Sequence, residues 1–163
     1  MAARAILLTG TVGSGKTTVL CELDELLDAR GEPFALVDLD WLAWAQLPAG
    51  TAHHAILAEN LSAVWATYRR AGVELLVAAR ALGSRVELES IRGALAGTDL
   101  AVVRLDVPRE ELERRIRARD TGRELEEHLA MIAEEPPRLE NAAVDATRPP
   151  AEVALAVLAA AGW

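Results

Sequence analysis

The architecture this chain predicts is an α/β fold in which helices cover both faces of a parallel sheet, and three observations predict it. Strand-like apolar runs alternate with helical runs along the whole chain. The first apolar run, Ala5-Ile6-Leu7-Leu8, passes directly into Gly10-Thr11-Val12-Gly13-Ser14-Gly15-Lys16-Thr17, a glycine-rich turn of pattern G-x-x-x-x-G-K-[ST] at the head of a helix. Charged residues gather just after strand-like runs, at Asp38, Asp40 and Arg80. Open α/β sheets hold their ligands at that edge.

Strand one is read from about Arg4 to Leu8, and its helix runs from the glycine-rich turn to about Arg30, stopped by Gly31 with Pro33 beyond. Phe34-Ala35-Leu36-Val37 is strand two, ending at Asp38-Leu39-Asp40. Residues 41–50 are expected to be irregular around Pro48 and Gly50. From about Thr51 to Arg70, Ile56, Leu57, Leu61, Val64 and Trp65 recur at helical spacing, and Gly72 closes that helix. Val73 to Ala78 is strand three, Ser84 to Leu95 a helix, and Leu100 to Val107 strand four. Pro108 suits the first position of the next helix. Asp120-Thr121-Gly122 breaks that helix, and a short one follows from about Glu124 to Ala133, ended by Pro136-Pro137. Ala142 to Asp145 is strand five, and Pro150 to Ala161 closes the chain as a helix.

At 163 residues the chain suits a single domain, residues 1–163, with no repeat or linker. Although 52% of residues are apolar, no run approaches the roughly 18 needed to cross a bilayer. No signal peptide is expected ahead of the first strand, and the single cysteine, Cys21, allows no internal disulfide. Both point to a cytoplasmic protein. A formal net charge of −8 disfavours nucleic acid and anionic membranes as partners, since those require a positive field. The arginines are nevertheless clustered: Arg104, Arg109, Arg114, Arg115, Arg117, Arg119 and Arg123 make one short basic segment.

The residue types of the glycine-rich turn fit a polyphosphate. With no Cβ in the way, the backbone N–H groups around Gly10, Gly13 and Gly15 can turn toward phosphate oxygens. Lys16 then meets the terminal phosphates, the Thr17 hydroxyl ligates Mg²⁺, and the helix contributes its positive end. A dinucleotide-binding loop fits worse, because the glycines do not make G-x-G-x-x-G and Lys16 has no task there. Guanine-specific switch proteins are disfavoured as well: N-K-x-D is absent, and no apolar strand ends in D-x-x-G. The two acids of Asp38-Leu39-Asp40, one residue apart at a strand end, are expected to point the same way.

With the loop from Gly10 to Thr18, the D-x-D run at Asp38 to Asp40 and Arg115-Ile116-Arg117-Ala118-Arg119, the chain resembles the small P-loop kinases. These comprise shikimate kinase, gluconate kinase, adenylylsulfate kinase and chloramphenicol phosphotransferase, with the nucleoside-monophosphate kinases as wider kin. The resemblance implies a five-stranded parallel sheet of order 2-3-1-4-5 and a small mobile lid, here about residues 115–127. It implies ATP and Mg²⁺ as cofactors, with Gly13, Ser14, Gly15, Lys16, Thr17 and Thr18 around the phosphates. On the pattern of shikimate kinase, Asp38 falls on the metal side and Asp40 on the acceptor. Asp40-Trp41-Leu42 is similar to the D-x-L around the catalytic aspartate of chloramphenicol phosphotransferase, which also selects Asp40 as base.

Arg115 and Arg119 repeat the R-x-x-x-R spacing of the nucleotide-kinase lid, in which one arginine covers the adenine and the other reaches phosphate. The resemblance thus adds Arg119 to Lys16 and Asp40 as a catalytic group, while Arg114 and Arg117 suit a solvated face paired with nearby glutamates. Asp145-Ala146-Thr147-Arg148-Pro149 resembles the loop at the adenine edge, making Arg148 a nucleotide contact. In these kinases the segment corresponding to about 41–60 covers the acceptor; here it carries Trp41, Trp44, His53 and His54. Trp41 is a candidate acceptor wall. Arg80 is placed either to meet an anionic or hydroxylated acceptor or to form a structural ion pair. Zinc at His53 and His54 is disfavoured, because adjacent helical residues diverge.

Three functions fit these residues. The first is transfer of the ATP γ-phosphate to a hydroxyl of a small-molecule acceptor by a monomer or homodimer. The second is a nucleoside or nucleotide kinase, and the third a non-catalytic ATP-binding regulator. An acid facing the acceptor, Asp40, has no use in the third.

Overall fold

Side-chain alternation along β1 (Arg4–Thr9) divides the interior of the protein in two. In the computed structural model, which describes residues 3–134 and 136–163, Ala5 and Leu7 face one apolar layer while Ile6 and Leu8 face the other. All four are fully buried. A strand buried on both faces reads as a continuous apolar run, and such strands belong to parallel sheets covered by helices on each side.

The sheet is built in that way. β1 lies between β3 (Leu75–Ala79) and β4 (Asp99–Asp106), with β2 (Phe34–Asp38) outside β3 and β5 (Ala142–Asp145) outside β4. The order 2-3-1-4-5 and the parallel pairing match the expectation. One face is covered by α1 (Lys16–Asp28) and α7 (Pro150–Ala160), which supply Val19, Leu23, Leu27, Val153 and Val157. The other is covered by α3 (His53–Arg70) and α4 (Arg85–Ala94), which supply Leu57, Leu61, Trp65, Leu88 and Ile91. A third small cluster joins α5 (Arg109–Arg119) to α6 (Gly122–Met131) and the segment after it, through Leu112, Ile116 and Ile132.

Among the boundaries that differ from expectation, two have clear local reasons. Strand three begins at Leu75 rather than Val73, because the Val73 N–H donates to Tyr68 O at 3.1 Å and completes the end of α3. Strand two does not run on through Asp40. Asp38 caps a short helix, α2 (Leu39–Leu42), by accepting the Asp40 N–H on Oδ1 at 2.9 Å. Aspartate is among the strongest N-caps, and that preference overrides the extended continuation. Asp40 therefore stands on the first turn of a helix, and the alternation expected of D-x-D along a strand does not apply. No described helix is long and apolar enough to cross a membrane.

Candidate active site

The loop between β1 and α1 takes its shape from its glycines. Gly10 has φ 146°, and a Cβ there would lie 2.6 Å from Ser14 Oγ and 3.0 Å from Leu105 O. Gly15 has φ 93° and occupies the N-cap of α1, with no side chain capping the first turn. An uncapped N-terminus leaves its backbone N–H groups for an anion, with the helix dipole in support. Ser14 Oγ, at the back of the loop, is buried with no hydrogen-bond partner. Lys16 Nζ donates to the loop carbonyls of Gly10 at 2.9 Å and Thr11 at 3.0 Å. Burial lowers the Lys16 pKa, opposed by the charges of Asp40 and Asp38, with Arg119 adding to the lowering. The charges of Asp40, Asp38 and Arg119 therefore bear on this ammonium group.

Arg80 lies between two acids. Its Nη1 donates to Asp40 Oδ1 at 2.8 Å and its Nε to Glu87. Glu87 is fixed in turn by a capping arrangement: Ser84 Oγ accepts the Glu87 N–H at 3.2 Å, and Glu87 Oε2 accepts the Gly83 N–H at 2.9 Å. Of the two placements open to Arg80 from sequence, the structure shows the ion pair. Partial burial pushes the Asp40 carboxyl above its ordinary range; Arg80 pulls it back, and Asp38 adds to the rise. A carboxylate lifted toward neutrality is a better proton acceptor than a fully solvated one.

Lys16 and Asp40 both line a cavity of about 500 Å³ at the carboxyl edge of the sheet. Its floor is Thr9, Gly10 and Thr11; Leu82 and Gly83 form one side. The outer wall is His128 and Met131 of α6 with Pro136, Pro137 and Leu139 beyond it. None of residues 41–60 is among the described residues that line it. Trp41 and Trp44 stack on each other with ring centroids 4.9 Å apart and are 70% and 77% exposed. His53 and His54 stand on the first turn of α3.

A second cavity, of about 300 Å³, opens on the other side of the loop among Ser14, Gly15, Thr18, Arg115, Arg119 and Arg148. Arg115 Nη2 donates to Ala146 O at 2.9 Å, and its Nε to Glu111 Oε1 at 2.8 Å. It thereby joins α5 to the loop before α7. Arg119 is held by Asp120, its Nε donating to Oδ1 at 2.6 Å. Arg114 pairs with Glu111 and Arg123 with Glu127 on the solvent side.

Two titratable residues of the first cavity, Arg104 and His128, stand outside the sequence-based candidates. Arg104 is paired through Nε to Glu140 Oε1 at 2.9 Å and through Nη1 to Asp106 Oδ1 at 2.8 Å, and its Nη2 is buried without a partner. Its signal is visible in the sequence: a charge interrupting the apolar run Ala101-Val102-Val103 before Leu105. His128 Nδ1 lies 2.6 Å from Asp120 Oδ2, so one carboxylate, itself 3% exposed, holds both His128 and Arg119. Only the turn between two helices brings these three together, and residue spacing carries no trace of it.

The donor set fits a magnesium–polyphosphate. The uncapped N-terminus of α1, a half-buried ammonium and an unpartnered serine hydroxyl suit phosphate oxygens. The Thr17 hydroxyl, exposed at the head of α1, and the Asp38 carboxylate are hard oxygen ligands of the kind Mg²⁺ takes.

A family profile described as an AAA domain matches residues 6–135. The chain belongs to that family. Its fold is shared with small P-loop kinases of known structure. The APS kinase of Mycobacterium tuberculosis, solved with AMPPNP and APS, superposes with a TM-score of 0.71 at 23% identity, over 99% of this chain and 99% of that one. A gluconokinase from Sinorhizobium meliloti 1021 gives 0.62 at 24% identity, over 98% and 92%. The tunicamycin resistance protein of Deinococcus radiodurans gives 0.62 at 19% identity, over 96% and 94%. No curated protein matches the sequence.

Proposed function

We propose that this AAA-domain protein is an ATP-dependent phosphotransferase that moves the γ-phosphate to a hydroxyl of a small-molecule acceptor held in the 500 Å³ cavity. One observation carries the reading: the loop lysine, Lys16, and an acid of raised pKa, Asp40, line the same chamber. A protein that only bound nucleotide would have no use for that pairing. ATP supplies the phosphoryl group and Mg²⁺ part of its charge neutralisation.

The chain's own residues supply alignment and charge, which account for most of the catalysis of phosphoryl transfer. Gly13 to Thr18 bind the phosphates, with Thr17 and Asp38 as metal ligands. Lys16 exchanges its two loop carbonyls for phosphate oxygens. Asp40 orients the acceptor hydroxyl and takes its proton late, while Arg80, behind it, keeps the carboxylate ionised. Arg115 and Arg148 border the base side and Arg119 reaches the phosphates when the lid at about 115–127 closes. Closure removes water that would compete as acceptor. Trp41 lies outside the cavity lining and would cover the acceptor after an inward movement of the 41–60 segment.

ADP formation measured against a panel of hydroxyl compounds and nucleosides, with Asp40→Asn beside the wild type, tests this. Turnover with non-nucleoside alcohols, lost in the variant, is the expected result. Turnover with nucleosides alone would favour a nucleoside kinase. Nucleotide binding with no turnover on any compound would favour a regulator.

A further inference from the structure

Two cavities flank the glycine-rich loop, and one buried carboxylate serves a side chain in the wall of each. Arg119 lines the smaller cavity and His128 the larger. Asp120 holds both. Its Oδ1 accepts from Arg119 Nε at 2.6 Å, while its Oδ2 accepts from Arg119 Nη2 at 3.0 Å and lies 2.6 Å from His128 Nδ1. The Asp120 side chain is 2% exposed and that of His128 21%.

This contact fixes which nitrogen of the ring carries the proton. Hydrogen bonds from Arg119 and His128 lower the Asp120 carboxyl to about 2, so near neutral pH it is ionised and can only accept. His128 Nδ1 is then the donor, and in the neutral ring the lone pair is left on Nε2. No hydrogen bond among the described residues uses Nε2. Because Nδ1 is turned to Asp120, the rest of the ring makes up the His128 part of the cavity wall.

Other polar groups of that wall are engaged within the protein. Thr9 Oγ1 accepts the Leu82 N–H at 3.2 Å, and Arg104 is paired with Glu140 and Asp106. Glu124, one turn before His128 on α6, brings a carboxylate oxygen within 4.8 Å of the Asp120 and His128 ligand atoms, but Arg119 already supplies the positive charge of that cluster.

We propose that His128 is a specificity-determining contact to the acceptor, with Asp120 as its positioning residue: Nε2 accepts a hydrogen bond from an O–H or N–H of the acceptor other than the hydroxyl that is phosphorylated. On the phosphotransferase reading, on which this rests, Asp40 takes the reacting hydroxyl from α2, and His128 meets the same chamber from α6. The acceptor class is therefore a diol, a polyol or an amino alcohol. An alcohol without the second donor displaces water from Nε2 and leaves it unmet, a loss on the order of ten- to a hundredfold.

The test uses the full chain. Its three histidines, His53, His54 and His128, give a simple long-range ¹H–¹⁵N spectrum, in which His128→Asn assigns the third ring. At mildly alkaline pH, where a histidine ring is neutral, His128 is expected in the Nδ1–H form with and without AMPPNP and Mg²⁺. An Nε2–H ring overturns the inference. So does a ring that gains a second proton when AMPPNP and Mg²⁺ bind, since Nε2 would then be donating to phosphate.

The kinetic arm compares 3-phenylpropane-1,2-diol with 3-phenylpropan-1-ol, cis-1,3-cyclohexanediol with cyclohexanol, and the best acceptor of the wider panel with its analogue lacking one hydroxyl, each with magnesium–ATP. In every pair that turns over, wild type should favour the member with the second donor by on the order of ten- to a hundredfold in kcat/KM. His128→Asn keeps a donor for Asp120 in place of Nδ1 but has nothing in place of Nε2, so that preference should vanish with little change in Tm. His128→Gln, which sets an amide near the place of Nε2, should regain part of it. A best acceptor with no second O–H or N–H, or a preference unchanged in His128→Asn, overturns the inference. Failure of AMPPNP to bind, or turnover with no compound at all, would instead overturn the phosphotransferase reading, so the two failures are separable.

Discussion

Asp40 Oδ1 and Arg80 Nη1 lie 2.8 Å apart, and Glu87 holds the same guanidinium from its other side. The acid proposed to accept the acceptor's proton thus rests on a positioned cation instead of standing free. Burial raises its pKa and Arg80 opposes that rise.

Removing Arg80 should therefore move the acid limb of the pH–rate profile. Only the ionised Asp40 can take a proton, so activity falls as pH drops through its pKa. Arg80→Met takes away the lowering influence, and the limb should shift to higher pH; Arg80→Lys should restore part of the difference. A kcat/KM profile from both variants reads this, and an unmoved limb would show that Arg80 does not tune Asp40.

Lys16→Met should lower transfer by about 10²–10³-fold, the usual effect of removing one preorganised donor to developing charge. The fold should survive, because among the described residues Nζ hydrogen-bonds to the carbonyls of Gly10 and Thr11 within its own loop. Circular dichroism alongside steady-state rates separates the two effects.

Asp120→Asn should loosen the lid. Hydrogen bonds from Arg119 and His128 lower the Asp120 carboxyl to about 2. A depressed carboxylate pKa contributes stability that is complete above its ordinary value of 3.8 and fades as pH falls through about 2. The difference in thermal stability between wild type and variant should accordingly be level from neutral pH down to that ordinary value, and shrink below it. KM for ATP should rise as well, because Arg119 loses its anchor.

Leu23→Ala tests the layer beneath α1. Leu23 is fully buried against the same apolar layer as Ile6 and Leu8, and truncation of such a leucine costs about 2–5 kcal/mol. Urea unfolding should show a lower midpoint with little change in slope.

Much of the fold could be read from residues because its signals are local. The run Ala5 to Leu8, the loop Gly10 to Thr17 and the alternation that follows each report their structure within a few positions. α2 was hidden because a strand ending in aspartate and a helix capped by aspartate look alike until the backbone turns. The glycine-rich loop was legible through its motif. The lining of the first cavity was not, since its wall joins Leu82, Arg104, His128 and Leu139 across four separate segments. Trp41 and Trp44 drew attention by residue type, yet they pack on each other in solvent, away from the cavity lining.

The central claim is that the last phosphorus of ATP passes to an alcohol whose proton goes to Asp40. Its most direct measurement follows label from γ-³²P-ATP in the presence of the best acceptor found, for wild type and Asp40→Asn. The account predicts label on the acceptor oxygen with wild type, and a loss of about 10²–10⁴-fold in the variant, the range for a removed general base. Label released only as inorganic phosphate, or transferred equally fast by Asp40→Asn, would contradict it.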